Sequence, residues 1–143
     1  MGNKISQINN DINIVGFEDM NYAIDKNYNI ITTLSNKNIS NLIKNTINPN
    51  EEELCINDMI DNNRFNEIII IYGKNTCDNN IYLKYKDLIT FGFINVYVYA
   101  GGMFEWMLLQ DIYGMDDFPT TTNELDILKF KPISIINNSR LLN

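Results

Sequence analysis

The sequence predicts one α/β domain in which a mostly parallel central sheet carries helices on both faces. Three observations lead there. Short apolar runs of strand length alternate with segments whose apolar residues recur at helical spacing. One run, Ile68 to Ile71, is four consecutive isoleucines, the pattern of a parallel strand buried on both sides. The 143 residues suffice for one core and fall short of two.

The elements follow in order. Ile12 to Gly16 is a short apolar strand, and Phe17, Met20 and Ile24 recur at helical spacing before a polar stretch, Asp25 to Asn29. Ile30 to Leu34 is a second strand, with Ser35 to Asn38 as the loop at its carboxyl end. Glu51 to Glu53 follow Pro49 and favour a helix start, since carboxylates are stabilised at the positive end of the macrodipole. That helix runs to about Asn62, with Cys55, Ile56, Met59 and Ile60 on its buried side and Cys55 acting as a small hydrophobe.

Glu67 to Tyr72 is the middle of the sheet, and Gly73 to Asn80 is a polar loop leaving its carboxyl end. Ile81, Tyr85, Leu88 and Ile89 mark the next helix, closed by Gly92 as C-cap. Val96 to Tyr99 is another buried strand, followed by Gly101-Gly102 and a helix from about Met103 to Tyr113. Leu125, Leu128 and Phe130 form a short amphipathic turn or helix that packs on the body. The domain spans residues 12–130, preceded by an arm, 1–11, and followed by a tail, 131–143. Alternating strand and helix place ligand sites at the carboxyl ends of the strands.

Composition excludes several classes of function. A net charge of −7 and a pI near 4.4 argue against nucleic acid, whose phosphates need clustered Lys and Arg. The chain has no histidine, which removes imidazole as general base and as metal ligand, and no metal or other cofactor is expected. Two cysteines, Cys55 and Cys77, without an apolar leader, point to free thiols in a reducing cytoplasmic compartment and not to secretion. No apolar run reaches the roughly 18 residues of a membrane span. Asn and Ile make up about a third of the chain, more than packing requires, and this reads as the mark of an AT-rich genome such as that of a protist or large DNA virus.

The run IIIIYG, a polar loop, an amphipathic helix and then FGFINVYVYAGGMFEW resemble the second half of a rhodanese-like domain and follow in the family's order. The specific part is Gly92-Phe93, Asn95-Val96-Tyr97, Gly101-Gly102 and Trp106 at close to the family spacing, and Leu42 to Pro49 is similar to its segment of small residues ending in proline. The resemblance covers roughly residues 12 to 113 and implies the rhodanese fold.

It also implies where a nucleophile belongs. Rhodanese-like sulfurtransferases carry a cysteine directly after the Tyr that ends the central strand, where inward N–H groups stabilise a thiolate that takes up sulfur as a persulfide. Here Tyr72 is followed by Gly73, and counting back from Gly92 places that position nearer Asn75; neither count lands on Cys77. The Asp-x-Arg pair that ends the second strand in the family corresponds to Thr32 and Leu34, and no Arg follows the loop. The loop residues Gly73, Lys74, Asn75, Thr76, Cys77 and Asp78 therefore stand as a connection kept by topology or as a cradle of N–H groups for a small anion. Cys77 is either a bystander or a relocated nucleophile, opposed by the like charge of Asp78.

The first six residues, MGNKIS, fit the N-myristoylation pattern, with Gly2 as the acylated residue; otherwise residues 1–11 are a polar arm. One acyl chain gives only reversible membrane contact. Two readings remain. One is a non-catalytic rhodanese-like module that binds a protein or a small anion, with peripheral membrane contact through Gly2. The other is a divergent sulfurtransferase or thiol oxidoreductase using Cys77.

Overall fold

The computed structural model of the protein describes residues 12–36 and 38–137. The acylation signal at Gly2 and the last six residues of the expected tail lie outside the described residues. Along the described residues from 14 to 113, four strands and four helices alternate: β1 (Ile14–Val15), α1 (Phe17–Lys26), β2 (Asn29–Thr32), α2 (Glu52–Asp61), β3 (Ile68–Tyr72), α3 (Asn80–Phe91), β4 (Asn95–Tyr99) and α4 (Gly102–Tyr113), followed by a 3-10 turn over Ile127–Phe130. The strands form one sheet in the order β1-β4-β3-β2, and every neighbouring pair is parallel. The isoleucine-rich β3 is interior, as its unbroken apolar run requires.

Side-chain alternation along the strands divides the core into two layers. Ile30, Ile70, Tyr72 and Tyr99 face Met20, Ala23 and Ile24 of α1 and Met103, Trp106 and Met107 of α4. Ile31, Ile69, Ile71, Val96 and Val98 face Ile56 and Met59 of α2 and Ile81, Tyr85 and Leu88 of α3. Helices thus cover both faces. The ends of α1 and α3 are set by left-handed residues, Asn27 at φ 59° and Gly92 at φ 111°. On α2, Cys55 is only half-buried, and on α3 Ile89 is exposed, so the apolar stripes are narrower than the spacing suggested.

The 3-10 turn explains a further difference from the sequence reading. At three residues per turn, positions three apart eclipse one another. Ile127 and Phe130 therefore share the face that packs on the body, while Leu125 and Leu128 are exposed.

Tyr72 ends β3 inside the core. Its hydroxyl accepts the Ile43 N–H at 3.1 Å and lies 2.8 Å from Thr46 Oγ1, so it anchors the long connection between β2 and α2. Burial pushes its pKa up to about 12, against weaker lowering by hydrogen bonds from Thr46 and Ile43. A folded-state pKa above the ordinary 10 means that this neutral hydroxyl contributes fully below about pH 10 and that its contribution is lost as pH rises toward 12. Tyr72→Phe leaves the buried Ile43 N–H without its acceptor, and urea denaturation is expected to show a loss of about 1.5 kcal/mol.

Candidate functional site: the loop after the central strand

All strands being parallel, their carboxyl ends gather at one end of the sheet, where the loop from Gly73 to Asn79 leaves β3 and enters α3. The register pairs Thr32 with Tyr72, which puts Thr33 beside Gly73. The Gly101-Gly102 turn after β4 meets the loop from the other side. Gly102 has φ +68°, and a Cβ there would stand 2.8 Å from the Gly73 carbonyl oxygen and 3.0 Å from the Asn75 nitrogen. Its lack of a side chain lets α4 begin against the loop, where the Met103 and Phe104 N–H groups donate to the Gly73 and Lys74 carbonyls at 2.9 Å each.

The loop is organised by its own side chains. Asp78 turns its carboxylate inward: Oδ2 accepts from Thr33 Oγ1 at 3.0 Å and from the Lys74 N–H at 3.1 Å, and Oδ1 accepts the Asn80 N–H at 3.0 Å at the start of α3. Asn75 is buried; its Oδ1 accepts the Cys77 N–H at 2.9 Å, and its Nδ2 donates to the Phe130 carbonyl at 3.0 Å. A Cβ on Gly73 would overlap the Asp78 carboxylate and come within 2.8 Å of Thr33 Oγ1.

The structure thus brings Gly73, Lys74, Asn75, Thr76, Cys77 and Asp78 together in one loop but gives them different roles. Asn75 and Asp78 point inward and bond, Thr76 and Cys77 are exposed, and Lys74 is half-buried. In front of the loop is a cleft of about 430 Å³, lined by Lys74, Asn75, Cys77 and Asp78 together with Lys131, Ile133 and Ile135. The stretch expected as a tail therefore contributes a wall of the cleft, and the 3-10 turn before it is fastened to the loop through Asn75.

On the α4 side, the Tyr99 hydroxyl donates to the Glu105 carboxylate. Burial, and then that carboxylate, hold the phenol well above its ordinary range. Sequence reasoning named Phe130 only as a packing residue and assigned neither it nor Thr33 nor Lys131 to the site. Thr33 had a signal, because the residue after a parallel strand end lies beside the residue after its neighbour's end. Among the described residues no group of His, Cys, Asp or Glu side chains could hold a metal ion, and no helix is long and apolar enough to cross a membrane.

Two solved structures from Anabaena sp. are similar to this chain. The structure of the Alr3790 protein aligns with 80% of this chain and 86% of its own, at 17% identity and a TM-score of 0.51. That of a Rhodanese_3-like domain from the same protein covers 66% of this chain and 99% of its own, at 19% identity and a TM-score of 0.48. The fold is rhodanese-like. No family model and no curated protein matches the sequence. Within this rhodanese-like domain, the residue after the last residue of β3 is Gly73, and the nearest side chain to it is that of Asp78.

Proposed function

We propose that the chain is a non-catalytic rhodanese-like binding module that engages a protein partner through the surfaces around the loop after β3, with N-myristoylation of Gly2 adding reversible membrane contact. One observation carries this reading: the Asp78 carboxylate occupies the space beside Gly73. A cysteine after the strand-ending tyrosine, as in rhodanese-like sulfurtransferases, would need that space for its sulfur. Asp78 also takes up the Lys74 and Asn80 N–H groups and the Thr33 hydroxyl, donors that would otherwise hold an anionic sulfur donor. A fixed negative charge in that place disfavours both a thiolate and an anionic substrate, so a protein partner is preferred to a free small anion.

Cys77 supports the same conclusion. It is exposed, and its own N–H is used by Asn75. The alternative, a sulfurtransferase or thiol oxidoreductase relying on Cys77, draws on its place in the cleft that Lys74 and Lys131 also line, since cations can hold an anionic sulfur donor.

A thiosulfate:cyanide sulfurtransferase assay on the protein and on Cys77→Ser separates the two readings. Equal background turnover in both, with no persulfide adduct by intact mass, is expected. Turnover and an adduct that both vanish in Cys77→Ser would establish the enzyme instead.

A further inference from the structure

On the sheet face that α1 covers, a groove of about 230 Å³ is lined by Val15 of β1, Asp19 and Tyr22 of α1, Tyr28, Ile68 and Ile70 of β3, and Tyr97 of β4; its walls reach from Ile68, where β3 begins, to Val15, which is level with Tyr99 and Tyr72. Apart from Asp19 its walls are aliphatic or aromatic, so it suits an uncharged chain better than a polar ligand. Tyr22 and Tyr28 meet edge to face at one side, with ring centroids 6.0 Å apart.

The course of the backbone determines what can reach this groove. Ile14 pairs with Val98, and the Val98 N–H donates to the Asn13 carbonyl at 2.8 Å. Following that parallel register back brings Ile12, the first described residue, level with Val96 and Ile69, one position from Asn95 and Ile68 at the start of β4 and β3. Ile68 lines the groove, so Ile12 is nearly level with that end of it. The ten residues from Gly2 to Asp11 reach up to roughly 35 Å when extended, and Val15, a wall residue, lies three positions beyond Ile12.

We propose that the groove formed by Val15, Tyr22, Tyr28, Ile68, Ile70 and Tyr97 seats the acyl chain carried by Gly2 of the same molecule. The inference rests on the acylation of Gly2 proposed above and adds the site that receives the lipid. A single myristoyl chain binds membranes only marginally, so even a modest intramolecular site competes with the bilayer. Membrane contact then becomes an equilibrium between a chain held in the groove and a chain released to lipid.

The test uses the full chain co-expressed with an N-myristoyltransferase. Intact mass reports whether Gly2 carries the acyl group, and an unmodified product overturns both the acylation reading and this proposal. On acylated protein, nuclear Overhauser contacts from the acyl methylenes to Val15, Ile70 and Tyr97 are expected. Their absence, or contacts to residues outside the groove, overturns the groove while leaving acylation standing. In sedimentation with neutral phosphatidylcholine vesicles, acylated Tyr22→Glu is expected to raise the bound fraction about threefold or more by releasing the chain. Leu83→Glu, exposed on α3 across the sheet, leaves the fraction unchanged. A bound fraction that Tyr22→Glu does not move also overturns the proposal.

Discussion

Gly102→Ala is expected to destabilise the domain by about 3 kcal/mol, combining the cost of a left-handed backbone at a residue with a Cβ and the clash of that Cβ with fixed neighbours. The neighbours decide the magnitude. The added carbon would meet the Gly73 carbonyl oxygen at 2.8 Å, the Asn75 nitrogen at 3.0 Å and the Lys74 carbonyl carbon at 3.1 Å, all of them backbone atoms. No side chain can rotate away, so relief requires α4 to withdraw, breaking the Met103 and Phe104 N–H bonds to the loop. Urea denaturation gives the change directly. A loss below about 0.5 kcal/mol would mean that α4 does not depend on this close approach.

The second large effect concerns Gly73. Gly73→Cys is expected to cost about 2 kcal/mol, because its side chain must displace Asp78 from hydrogen bonds to Thr33, Lys74 and Asn80. In an Asp78→Ala background the space is already vacant, and the same substitution is expected to cost about 1 kcal/mol less, a coupling that a double-mutant cycle measures. Additive losses would indicate that the carboxylate does not fill the cysteine's place.

Much of the fold was legible because local signals and burial agree. Four isoleucines in a row suit a strand covered on both faces, and Gly92 and Gly101-Gly102 mark the two turns that precede and follow β4. The site was legible as a place and not as an arrangement. Asp78 reads in sequence as a charge unfavourable to Cys77; its role as the loop's internal acceptor depends on Thr33, 45 residues away. The same holds for Tyr72, whose hydroxyl partners lie in the irregular segment after β2. Among its described residues that segment shows isolated bridges, Ile30 with Thr46 and Ile43 with Thr120, and no periodicity announces such contacts. The cleft wall around Lys131 was read as tail because nothing local reveals the bond between Asn75 and Phe130.

That bond has a consequence for the order in which the molecule is completed. Asn75 and Phe130 are 55 residues apart, so during synthesis from the amino terminus the sheet residues through Tyr99 are available long before the turn that fastens the loop. Until Phe130 has emerged, the Asn75 amide has no final acceptor there, and the loop lacks the strut that joins it to the last turn. The surface proposed to meet a partner is therefore among the last parts of the domain to take its final form. A nascent or truncated chain ending before that turn would present the rhodanese-like sheet without a finished recognition face.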